Sequence, residues 1–228
     1  GDGSPVVAAG QHGMAVSQIG MTPDSKWIVM ASQVEGAMAW MPVGGAQTNP
    51  QKIDIGFPVG ELLFHPQEPL AIVAGRAAEQ GFAKVVNLET AKVVTSITQD
   101  KLTNPRSMLN DSVVYLGRKD DSQVLSRWLI GMVSHGGRQL GVWDLGSGKE
   151  IQRFFFEDSA TFDAGFTADG GRVYSSHEDN KLRIWDLFSG EPLADPIEHP
   201  WLPFVTPTAD GEKLITTNVG DRAVRVFS

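Results

Sequence analysis

The chain has 228 residues, of which 41% are hydrophobic and 20% charged, ordinary proportions for a globular protein able to bury a core. A formal charge of −8 opposes a phosphate backbone, since nucleic-acid binding works through a basic surface that releases counterions, and no nucleic-acid partner is expected. The absence of cysteine excludes disulfides, thiolate metal sites and a cysteine nucleophile, and the longest apolar runs, such as LAIVA at 70–74, are far shorter than the ~18 residues of a membrane helix, so no membrane insertion is expected.

Taken in chain order, a short apolar segment, 5–9 (PVVAA), precedes a turn at Thr22-Pro23-Asp24-Ser25-Lys26. A second turn follows at His65-Pro66-Gln67-Glu68-Pro69, just before the 70–74 run. Pro presets φ, Asp accepts from nearby backbone N–H groups and Gly tolerates positive φ, so such clusters suit tight turns. Residues 101–118 read as an enlarged loop. Then Trp128-Leu129-Ile130-Gly131-Met132-Val133-Ser134 leads through His135-Gly136-Gly137-Arg138 into Gln139-Leu140-Gly141-Val142-Trp143-Asp144-Leu145, with Ser147-Gly148 beyond. The same pattern returns after the turn Thr167-Ala168-Asp169-Gly170-Gly171. Arg172-Val173-Tyr174-Ser175-Ser176 runs into His177-Glu178-Asp179-Asn180, then Lys181-Leu182-Arg183-Ile184-Trp185-Asp186-Leu187 and Ser189-Gly190. A further turn, Thr208-Ala209-Asp210-Gly211-Glu212, opens a last unit that stops at Ala223-Val224-Arg225-Val226-Phe227-Ser228. Short alternating segments between Gly, Asp, Asn and Ser, with no sustained 3.6-residue period, predict an all-β protein. An internal repeat of this length outranks any single element in deciding the fold.

On Trp143-Asp144, Trp185-Asp186, the 42 residues between them and the Thr-Ala-Asp-Gly turns, the chain resembles the WD-repeat family. The resemblance implies a β-propeller of four-stranded antiparallel blades. Trp40, Val86, Trp143, Trp185 and Phe227 would fill the Trp position of five blades, at about 14–56, 57–100, 101–155, 156–198 and 199–228. The last blade lacks an outer strand, which residues 5–9 could supply to close a five-blade ring; the alternative is a part of a larger ring. The resemblance also implies structural hydrogen-bond tetrads. One would join Ser175, Asp179 and Trp185, with Asp158 or Ser159 where a His would fall; another would join His199, Thr217 and Asp221, with Phe227 in place of Trp.

Chemistry-bearing patterns give little. His177-Glu178-Asp179 occupies consecutive positions of a turn, where side chains diverge, and reads as a solvated turn rather than a metal site. His12, His65, His135 and His199 are scattered among the units. The run 146–150 (GSGKE) fails as a phosphate loop, because Trp143 stands where Gly is required and Glu150 where Ser or Thr is. No catalytic residue, cofactor or metal is expected. The leading expectation is a non-catalytic scaffold that binds a protein or peptide through loops at one face, with Trp201, His199, His177, Arg138, Arg106 and Phe57 as candidate contacts. The alternative is a propeller enzyme or small-ligand binder with its site in the axial channel. Residue 1 is Gly, so the chain reads as an excised domain or a mature chain, fusion to another domain is open, and the compartment is left unknown with the cytoplasm favoured.

Overall fold

A computed structural model of the protein describes residues 13–44, 49–65, 67–77, 80–99, 112–119, 127–134, 138–144, 146–156, 159–167, 170–208, 210–218, 220 and 222–228. Among the described residues every regular element is a strand, and the strands form five antiparallel sheets. The first sheet holds β1 (Gln18–Met21), β2 (Trp27–Ser32), β3 (Ala37–Pro42) and β4 (Gln51–Asp54). The second holds β5 (Val59–Phe64), β6 (Leu70–Ala77), β7 (Gln80–Asn87) and β8 (Lys92–Gln99). The third holds β9 (Ser112–Lys119), β10 (Arg127–Ser134), β11 (Gln139–Asp144) and β12 (Glu150–Phe155), and the fourth β13 (Thr161–Phe166), β14 (Arg172–His177), β15 (Lys181–Asp186) and β16 (Ile197–Glu198). The fifth has three strands, β17 (Phe204–Pro207), β18 (Leu214–Thr217) and β19 (Val224–Phe227). In every sheet consecutive strands are hydrogen-bonded neighbours.

One turn chemistry recurs at the first hairpin. The Thr22 hydroxyl donates to Asp24 at 2.6 Å and accepts the Trp27 N–H at 3.1 Å. Thr167 accepts from Arg172 at 3.2 Å and Thr208 from Lys213 at 3.1 Å in the same way. In the second sheet His65 takes the role, its Nδ1 accepting the Gln67 and Glu68 N–H groups. The Asp of each Trp-Asp pair shapes the next turn: Asp144 accepts from Ser147 N and Asp186 from Ser189 N, both at 2.8 Å. Gly148 and Gly190 then follow at φ 68° and 75°, a left-handed backbone that glycine adopts without strain. One expectation is corrected here: residues 112–118, read as part of an enlarged loop, lie in β9.

The chain divides into two compact units, Gly1–Ala77 with Phe82–Ser96, and Ala78–Gly81 with Ile97–Ser228. In the first, β1 lies beside β5, and Val29, Ala31, Met38 and Trp40 of the first sheet share a buried cluster with Ala71, Val73, Val86 and Leu88 of the second. In the second unit β13 lies beside both β9 and β17, so the first strands of successive sheets are neighbours. Leu140, Val142 and Phe154 pack on Ala164, Phe166, Val173 and Leu187 between the third and fourth sheets. Tyr174 and Leu182 pack on Val205 and Leu214 between the fourth and fifth. Residues 5–9 lie outside the described residues, so the strand expected of them is not described.

Candidate functional site

The polar groups that come together lie between the second and third strands of the fourth and fifth sheets. Period-two alternation puts Ser175 and His177 on one face of β14, and the register pairs Val173 with Trp185 and Ser175 with Arg183. Trp185 Nε1–H donates to Ser175 Oγ at 3.1 Å, and Ser175 Oγ lies 2.7 Å from His177 Nε2. His177 Nδ1 faces the Ser159 carbonyl at 3.4 Å. A carbonyl can only accept, so the proton sits on Nδ1; Nε2 therefore accepts from the Ser175 hydroxyl, which in turn accepts from the indole. Phe156 packs edge-on against the His177 ring, centroids 4.6 Å apart. Burial drives the His177 pKa down to about 4, and the Arg183 charge adds to the effect.

Here the structure corrects two expectations. His177 is not a solvated turn residue or a surface contact: it is 0% exposed. Nor does Asp179 close the tetrad through its carboxylate. Its backbone N–H donates to Ser159 Oγ at 3.0 Å, while the carboxylate takes both guanidinium nitrogens of Arg183, at 3.2 and 2.6 Å. Although burial pushes the other way, this pairing holds the Asp179 carboxyl below its ordinary range. Ser159 stands where the incoming loop would supply His, and with a serine there His177 spans the gap.

In the fifth sheet the loop does supply His. His199 is 4% exposed, its Nε2 lies 3.1 Å from Thr216 Oγ1, and its backbone N–H donates to Asn180 O at 2.9 Å. The partner is Thr216, not Thr217. Register pairs Leu214 with Phe227 and Thr216 with Arg225, so Thr216 is the counterpart of Ser175 and is fully buried, while Thr217 is exposed on the other face. His199 is thus also corrected as a surface contact. Phe227, with no N–H to donate, sits 6.2 Å from the His199 ring. Asp221 lies outside the described residues.

The remaining candidates separate by burial. Phe57 is corrected: it is 4% exposed and stacked on Phe82 at 5.4 Å. Arg138 is exposed, and Arg106 lies outside the described residues. Trp201 is 54% exposed. Its indole rests on the backbone of Gly220, where an added Cβ would come within 2.7 Å of Cδ2 and 2.9 Å of Cγ. His199 Nδ1 meets the Trp201 carbonyl, so one imidazole anchors the loop to β18 through one nitrogen and to Trp201 through the other. Pro200 and Pro203 flank it. Among the described residues no three His, Asp or Glu side chains are grouped so that they could hold a metal ion.

No protein-family model matches the chain, and no curated protein matches it.

Proposed function

We propose that the chain is a β-propeller of WD-repeat type, or a large part of one, and that it works without catalysis as a scaffold binding a protein or peptide. The observation that carries this reading is Trp201, a large aromatic more than half exposed on a loop held by two prolines, by His199 and by contact with Gly220. A preorganised aromatic loses little conformational entropy on association, and Trp is enriched among residues that dominate interface energy. The polar network around Ser175 supports the non-catalytic part: its donors and acceptors are spent on one another beneath packed aromatic rings, which rigidifies a sheet rather than presenting a reactive group. The recurring meander, with first strands adjacent within each unit, supports the propeller.

The test is selection of a peptide library on the immobilised chain, followed by titration of a selected peptide against wild type and Trp201→Ala. The variant is expected to lose more than ~2 kcal/mol of binding free energy while its Tm stays within a few degrees. A large fall in Tm with unchanged affinity of the folded fraction would assign Trp201 to packing.

A further inference from the structure

Four of the sheets end on a fourth strand, and among the described residues no strand pairs with the far edge of that strand. An edge of this kind is a template for a strand from another chain, and proteins block it with short strands, prolines or charged side chains. Three of these edges carry such a block. β4 has four residues, and its Lys52 and Asp54 are charged. β16 has two residues and lies between Pro196 and Pro200. β12 has six, with Glu150 and Arg153 ion-paired at 2.6 Å along it.

β8 carries none of these. It runs for eight residues, KVVTSITQ, without proline or glycine, and its one charge is Lys92 at its start. Thr95 and Ile97 are buried, so one face of the strand lies against the protein. Val94, Ser96 and Thr98, on the other face, are exposed, Val94 by 55%. Uncharged residues rich in β-branched side chains are the composition that strand pairing favours.

We propose that β8 is a dimerisation edge, at which two copies of the chain pair their β8 strands antiparallel and join their second sheets edge to edge. The occupant is a second copy because the strand is complementary to itself. A two-fold axis normal to the sheet at Ser96 pairs residues 93–99 of each copy with the same residues of the other and keeps both buried faces on one side. It sets Ser96 opposite Ser96 and Val94 opposite Thr98, and it leaves Lys92 outside the paired stretch, so no like charges meet. The charge of −8 on each copy acts over longer distances, where salt at about 0.15 M, with a screening length of about 8 Å, weakens it. A single strand edge covers less than the ~1,000 Å² of a stable interface, so the dimer is reversible and forms at high protein concentration. The pairing does not depend on the binding role proposed for Trp201.

Sedimentation equilibrium from about 10 μM to about 1 mM, the range of weak association, reads the dimer. Ser96→Lys and Ser96→Glu each set like charges opposite one another at an exposed position. Each variant is expected to lose the dimer with Tm unchanged, and an equimolar mixture of the two to regain it. The chain has no cysteine, so single cysteines report the register. Facing Cα atoms of an antiparallel pair are about 4.5–5.5 Å apart, within disulfide reach, whereas Thr98 of one copy and Thr98 of the other are offset by about 13 Å along the strands. Under a copper–phenanthroline oxidant Ser96→Cys should cross-link the copies and Thr98→Cys should not. A chain monomeric at about 1 mM would overturn the proposal and leave the edge to a strand from a different protein. A Ser96→Lys dimer as stable as the wild type, a mixture that stays monomeric, or cross-linking through Thr98→Cys instead of Ser96→Cys would overturn it as well.

Discussion

Acid should destabilise this protein through His177 before it titrates the carboxylates. In the folded state burial, reinforced by Arg183, lowers the His177 pKa from 6.5 to about 4. The unfolded chain therefore binds a proton near pH 6.5 and the folded chain only near pH 4, so protons favour unfolding between those values. The contribution is complete above pH 6.5 and is lost as pH falls through 4. At about 1.4 kcal/mol per unit, the shift corresponds to roughly 3 kcal/mol. Other groups fall in recognisable windows. Asp179, Asp186 and Asp210 have pKa values lowered from 3.8, so their contributions are lost only below that pH. His65, lowered by burial against the opposing pull of Glu68, adds to the same window as His177. Urea denaturation at half-unit steps from pH 7.5 to 4, followed by tryptophan fluorescence, should show the loss, and His177→Asn should remove most of it while lowering stability at pH 7. A wild-type curve flat across this range, or a His177 resonance titrating near 6.5 in the folded protein, would refute the buried neutral imidazole.

Three further outcomes follow from the packing. Ser175→Ala strips both the Trp185 N–H and His177 Nε2 of their partner and should cost ~1–3 kcal/mol; combined with Trp185→Phe the losses should fall short of additive by ~0.5–3 kcal/mol in a double-mutant cycle. Gly141→Ala would place a Cβ 2.2 Å from the Trp143 ring, which should cost ~1–3 kcal/mol by overpacking and be relieved when Trp143 is replaced by Val, as thermal unfolding of the double variant can show. Trp40→Phe keeps an aromatic ring in the core but deprives the Leu88 carbonyl of its indole donor, 2.8 Å away; a drop of ~1–3 kcal/mol by urea denaturation is expected, the cost of an unsatisfied buried acceptor.

Alternation and turn chemistry act between near neighbours, so they were legible without a structure: the strands other than β9, which was expected as loop, the Thr-x-Asp hairpins and the Trp-Asp turns follow from residues within a few positions of one another. The same locality put Ser175 and Trp185 within one hairpin and marked Trp201 as the aromatic of a proline-bounded loop. Burial was not legible, because it is set by what arrives from another sheet. His177 reads as a turn residue until Phe156 of the preceding sheet covers it, and Phe57 as a loop aromatic until Phe82 stacks on it. Register was not legible either. Thr216 and Thr217 are equivalent as text, and only the pairing of Leu214 with Phe227 turns the first inward and the second to solvent, since a slip of one residue exchanges the two faces of a strand. The sequence by itself thus determined that this chain folds as repeated antiparallel hairpins, because that depends on local backbone and turn preferences. Which histidine completes each polar network, and which aromatic side chains stay exposed, were decided only when the sheets packed, because those properties belong to contacts between residues far apart in the chain.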